Sequence, residues 1–204
     1  DALIVFDADN NGIYDSSIDY AIGYAFGNSN GGSSGTWQRT DPYEGEYSGG
    51  AIGKFILTVA LDYEGTSKDD YVVGSTVADN LKGDKGKDVL YGYRGNDKLY
   101  GESGEDKLYG NSGDDYLSGG SYKDKLYGGS GEDYLRGGTS ADRLYGDSGK
   151  DLLKGDSGDD YLKGGSSADK LYGGSGEDYL RGGTSADRLY GDSGKDILKG
   201  ESGD

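Results

Sequence analysis

Fourteen aspartates recur every nine residues: Asp79, Asp88, Asp97, Asp106, Asp115, Asp124, Asp133, Asp142, Asp151, Asp160, Asp169, Asp178, Asp187 and Asp196. A carboxylate is a hard oxygen donor. A column of carboxylates brought together by a repeat repels itself unless a cation lies between its members. A hard divalent cation reverses the repulsion, taking oxygens from Asp side chains and from the carbonyls of glycine-rich turns. The chain has no Cys and no His, so zinc, copper and haem lack their usual ligands. All-oxygen, flexible sites suit calcium better than magnesium. Several Ca2+ ions are therefore the expected cofactor. The plain alternative is that these aspartates only cap turns.

The unit that carries each aspartate is G-x-x-G/S-x-D-x-L-x, and fourteen complete copies run without a gap from Gly74 to Lys199. Gly stands first and Asp sixth in every copy. Leu stands eighth, as Leu81, Leu90, Leu99, Leu108, Leu117, Leu126, Leu135, Leu144, Leu153, Leu162, Leu171, Leu180, Leu189 and Leu198. Such strict recurrence has to be read as a repeat architecture. Gly at the first and usually the fourth position allows backbone angles that other residues adopt at a cost. The first six residues of the unit therefore read as a turn and the last three as a very short strand. Two units make one turn of a coil, and coils stacked at roughly 4.8 Å give a rod of roughly 35 Å for seven turns.

The leucines of odd and even copies face each other as a thin core between two parallel sheets. Burying one Leu stabilises by roughly 1.5–3 kcal/mol, whereas ordering backbone costs roughly 1–2 kcal/mol per residue. Leucine alone cannot hold such a coil, and carboxylate with metal is expected to supply the remainder.

The unit resembles the RTX (repeats-in-toxin) nonapeptide, G-G-x-G-x-D-x-U-x with U large and apolar. The resemblance implies an all-β protein: a parallel β-roll, a right-handed solenoid with calcium between successive loops on each edge. It implies the sixth-position aspartates as ligands, with loop carbonyls such as those of Gly83 and Gly92 as partners. It also implies export by a type I secretion system and folding outside the cell, in a secreted or cell-surface setting. The chain departs from the pattern where position four is Val77, Tyr122, Ser140, Ser167 or Ser185. If that position needs a positive φ, those loops are strained.

Residues 1–70 read differently from 71–204. Leu3–Phe6, Tyr20–Phe26 and Phe55–Leu61 have strand character, the latter two by period-two alternation. The stretch 27–50, rich in Gly and Ser and carrying Trp37 and Pro42, reads as a long loop. A small antiparallel β cap is expected here, packed near Tyr71–Val73 and covering the open end of the roll. Within it, Asp7, Asp9, Asn11 and Asp15 stand as D-x-D-x-N-G-x-x-D around Gly12. This resembles the start of an EF-hand calcium loop. Ile18 replaces its bidentate Glu, and the flanks read as strands rather than helices. The alternative for this stretch is an Asn-Gly hairpin turn.

Positions seven and nine should face solvent, and from Lys98 onward nearly every copy places one Tyr and one basic residue there. Tyr91, Tyr109, Tyr127 and Tyr145 should form one ladder flanked by Lys107, Lys125 and Arg143. This is either cross-strand stacking or an adhesive surface. Residues 110–154 and 155–199 are near copies, so an odd number of units should repeat the pattern on the opposite face.

The formal charge of −17 among 204 residues argues against nucleic acid and anionic membranes as partners. It also suggests disorder without calcium. No apolar run is long enough to span a membrane, and no signal peptide is visible. A start at Asp1 and a stop inside a repeat suggest a fragment or processed product. With no His or Cys, the usual general base and thiol nucleophile are missing, and no enzyme activity is expected of this span. The reading is a non-catalytic calcium-binding structural module of a secreted surface or fibre-forming protein, with self-assembly through Tyr/basic ladders or coil ends. The alternatives are the secretion and folding module of a larger exported protease or lipase, or a glycan-binding adhesin module.

Overall fold

The computed structural model describes Val5–Phe6 and residues 60–203. These residues contain seventeen strands and no helix. Strand β1 is Val5–Phe6, β2 Asp62–Glu64, β3 Tyr71–Val73 and β4 Asn80–Lys82, and thirteen six-residue strands follow, from β5 (Val89–Arg94) to β17 (Ile197–Ser202). Odd-numbered strands form one sheet of nine and even-numbered strands a second of eight. Within each sheet every pairing is parallel, apart from β1 against β3. The architecture is an all-β parallel solenoid of about eight turns, each turn giving one strand to each sheet.

Partners are eighteen residues apart, as Leu135 with Leu117 and with Leu153. This is two repeat units, so like meets like along the rod and Leu always sits on Leu. Leu81 through Leu180 have no exposed surface. Tyr63 and Val72 fill the same position in the first coil, with Leu61 beside them. The core is thus one column of side chains between two sheets.

Strands β2, β3 and β4 have the three residues expected, whereas β5 to β17 are longer, each running from position seven of one unit to position three of the next, as Tyr134–Thr139. The ladder pairs Arg136 with Lys154, passes over the first-position Gly137, and resumes at Gly138 with Asp156. Pairing continues because the positive φ falls at positions two and four and leaves position one extended: φ is 117° at Gly138, while Gly137 is not among the positive-φ glycines. The chain therefore bends within a strand and turns only at positions four to six. Position four takes a positive φ even when it is Tyr122 (76°), Ser140 (86°), Ser167 (80°) or Ser185 (91°), so those turns hold an L-residue in a costly region. Val77 does not adopt it.

The parallel ladder begins upstream of residue 71, where β2 pairs with β4. β1 lies antiparallel against β3, Val5 opposite Val72 and Phe6 opposite Tyr71. The strand expected at Tyr20–Phe26, residues 55–59 of the strand expected at Phe55–Leu61, the 27–50 loop and the motif of Asp7, Asp9, Asn11 and Asp15 lie outside the described residues.

The odd sheet carries a continuous tyrosine ladder on its outer face, and the even sheet two shorter runs, Tyr100–Tyr116–Tyr134 and Tyr172–Tyr190. On the odd sheet Tyr91, Tyr109, Tyr127 and Tyr145 stack with centroids 4.6, 4.8 and 4.9 Å apart and planes within 6°. The run continues at a tilt to Tyr161 (5.8 Å) and then to Tyr179 (5.4 Å). Lys107, Lys125 and Arg143 pair beside it at position seven.

Candidate metal centre

The solenoid brings the sixth-position aspartates into two columns, one on each edge, and buries them. Asp79 through Asp178 are each no more than 4% exposed. Their two oxygens have different surroundings. One carboxylate oxygen, Oδ1, accepts the backbone N–H of the aspartate one coil earlier: Asp79 donates to Asp97, Asp106 to Asp124 and Asp124 to Asp142, at 2.7–2.8 Å. The same bond recurs up to Asp178 donating to Asp196. These are charge-assisted bonds, and they join coil to coil. The capping role weighed from sequence is real for this oxygen, although the acceptor serves the neighbouring coil and not its own turn.

The second oxygen, Oδ2, has no donor. From Asp88 through Asp178 every one is buried without a hydrogen-bond partner. Such atoms are rare in native proteins and call for an ion or a water. Their setting favours an ion. A methyl group built on Gly137 would meet Asp142 Oδ2 at 2.5 Å and the Gly155 carbonyl oxygen, from the next coil on that edge, at 2.9 Å. Two electron-rich oxygens thus converge on one point with no hydrogen between them. The same pairing occurs for Asp97 with Gly110, Asp106 with Gly119, Asp115 with Gly128 and Asp169 with Gly182. The carbonyls used are first-position glycines, the class to which Gly83 and Gly92 belong.

Burial pushes these carboxyls up, against the lowering pull of the N–H bond each accepts: to about 6 at Asp88, about 7 at Asp97, Asp106 and Asp133, and about 8 at Asp124 and Asp142. Their neighbours one coil away add like-charge repulsion, as Asp160 does to Asp142. A dry anion flanked by a carbonyl is the environment a hard divalent cation relieves. Among the described residues no three acidic side chains converge. A bound ion would therefore be held by carboxylate and main-chain oxygens from two successive loops. The donor set fits calcium, and the ion would supply charge neutralisation and cross-linking of coils.

Two placements were missed in the sequence. Asp70 is also a buried member of a column, donating its N–H to Asp88 Oδ1 at 2.8 Å. The signal was Gly65, Asp70 and Val72, which keep the nine-residue spacing one unit upstream of Gly74. Asp79 shares the pairing with a first-position carbonyl, Gly92, but differs from its fellows in that its Oδ2 accepts the Ser75 N–H at 2.5 Å.

Parallel coils, a leucine column and two edges of buried carboxylates with donorless oxygens define a parallel β-solenoid with a candidate cation site in its loops. The family model described as RTX calcium-binding nonapeptide repeat matches seven overlapping segments: 64–99, 73–108, 91–121, 109–144, 118–153, 145–180 and 172–204. The chain belongs to that family, and its repeats imply Ca2+ binding. No curated protein matches it.

Proposed function

We propose that this span is a non-catalytic structural module of an exported protein, which coils when several calcium ions enter its loops outside the cell. The observation that supports this best is the pair of columns of donorless Oδ2 atoms, Asp88 to Asp178. Unpaired buried anions destabilise the coil where calcium is scarce, and bound ions stabilise it where calcium is plentiful. The sixth-position aspartates from Asp88 onward are the proposed ligands. Asp7, Asp9, Asn11 and Asp15 remain a proposed further site on their spacing alone. Circular dichroism across a calcium titration tests the reading: strand content should rise with calcium and be lost with chelator. A spectrum and melting curve indifferent to chelator would overturn it.

The stacked tyrosines favour a surface or fibre role over a purely passenger one. Regular aromatic ladders with flanking cations offer a self-association face along the rod. Electron microscopy at millimolar calcium should show laterally or axially associated rods. Dispersed monomers would remove the fibre reading and leave the secretion and folding module of a larger exported enzyme. No shifts in a glycan array would remove the glycan-binding adhesin.

A further inference from the structure

The first two aspartate loops are built differently from all that follow. In the units Gly65–Val73 and Gly74–Lys82, position two is Thr66 and Ser75, the only Thr or Ser at that position from Gly65 onward. Each directs two donors at its own aspartate. Thr66 gives its N–H to Asp70 Oδ2 at 2.6 Å and its hydroxyl to Asp70 Oδ1 at 3.2 Å. Ser75 gives its N–H to Asp79 Oδ2 at 2.5 Å and its hydroxyl to Asp79 Oδ1 at 2.9 Å. Asp79 Oδ1 also accepts the Leu61 N–H at 2.6 Å.

The backbone differs in step. In every later loop, positions two and four both have a positive φ, even where position two is Tyr93 or Glu102. In the first two loops neither Thr66 and Ser75 nor Lys68 and Val77 adopt it. The later form leaves Oδ2 without a donor; the early form gives it one, the N–H at position two. A cation at Asp70 or Asp79 would compete for Oδ2 with the N–H of Thr66 or Ser75.

We propose that Thr66 and Ser75 close the first two loops without metal. Asp70 and Asp79 are then not calcium ligands, and the metal-bearing stretch begins with the loops of Asp88 and Asp97. This rests on the calcium reading of the later loops. The residue at position two is the determinant: a hydroxyl residue with negative φ locks a loop, and a residue with positive φ opens it to an ion. The first turn of the solenoid is thereby held in the absence of calcium. It serves as a preformed end on which the calcium-dependent coils add, since each coil needs only its neighbour.

Equilibrium dialysis against Ca2+ tests this by counting bound ions on the whole chain. Asp79→Asn and Asp70→Asn should leave the count unchanged, while Asp97→Asn should lower it by one. The double variant Ser75→Gly, Val77→Gly, which restores the pattern of the later loops, should raise it by one. Loss of an ion in Asp79→Asn, or no gain in the double variant, overturns the inference. An unchanged count in Asp97→Asn overturns the calcium reading itself and the inference with it. Hydrogen exchange in chelator gives an arm that needs no variant. The Thr66 and Ser75 amides should exchange at least tenfold more slowly than those of Asp106 and Asp124, and equal rates would overturn the preformed end.

Discussion

Asp142→Asn separates metal from packing because its effect must depend on calcium. Asn keeps the acceptor that takes the Asp124 N–H at 2.8 Å. It replaces the donorless Oδ2, which shares its space with the Gly155 carbonyl, by an amide that can donate to that carbonyl. Without calcium the variant sheds an unsatisfied buried acceptor, a gain of about 1–3 kcal/mol. With calcium it lacks one ion. Linkage gives that ion about 2.7 kcal/mol at a hundredfold excess over its dissociation constant and about 4 kcal/mol at a thousandfold. The stability difference from the parent chain should therefore change by about 1.4 kcal/mol per decade of free calcium. It should also reverse sign, with the variant more resistant at the low end. Urea unfolding followed by circular dichroism over several calcium buffers reads this slope. Leu144→Ala is the control: Leu144 is fully buried, and its loss should destabilise by about 2–5 kcal/mol at every calcium level at which the chain folds. If the Asp142→Asn offset were as flat as that of Leu144→Ala, Oδ2 would not face a metal and the reasoning would fail.

Protons should compete with calcium. Folded-state values near 6 to 8 stand above the ordinary aspartate value of 3.8, so the metal-free coil is favoured where these groups are protonated. That stability is fully present below about pH 4 and is lost as pH rises through 6 to 8. In chelator, strand signal should fall between pH 5 and about pH 8, and calcium binding near neutrality should release protons to an unbuffered solution. A chelated protein that gains structure with rising pH would contradict this. Tyr127→Ala removes a ring stacked at 4.8 and 4.9 Å on its neighbours. It should lower stability by about 1–3 kcal/mol, two stacking contacts of about 0.5–1.5 kcal/mol each, and leave the ion count unchanged. Gly137→Ala puts a methyl group against Asp142 Oδ2 and the Gly155 carbonyl, so dialysis should show one ion fewer.

Much of this architecture was legible because a nine-residue period leaves few alternatives. Leu at the eighth position of every unit dictates a core column, and Asp at the sixth dictates two charged edges. Where the reading fell short, the cause was local. The six-residue strands were missed because Gly at position one was credited with the irregular backbone that position two in fact adopts. Residues such as Tyr93, Glu102 and Asp147 hide that requirement, since nothing in their side chains announces a positive φ. The split personality of each carboxylate, one oxygen tied to the coil before it and one left bare, depends on the eighteen-residue register and is invisible in a single unit. The unit at Gly65 was overlooked because Val72 stands in place of Leu and Thr66 in place of an open turn residue, although its spacing was intact.

The two near-copies, 110–154 and 155–199, show how far the interior and the surface are independent. Loops and core are indifferent to an insertion of any whole number of units, but the faces are not. An odd number moves every surface residue to the opposite sheet. The contacts move with it as sets. Tyr127 stacks on Tyr145 at 4.9 Å on the odd sheet, and their counterparts Tyr172 and Tyr190 stack at 4.7 Å on the even sheet. Lys154 lies 5.5 Å over Tyr134 on one face, and Lys199 lies 5.1 Å over Tyr179 on the other. Arg136 pairs with Asp156, and Arg181 with Glu201. The same aromatic and cationic pattern therefore faces outward on both sides of one rod. A partner that meets one side finds the matching surface on the other, so a rod that associates through its ladders is at least bivalent.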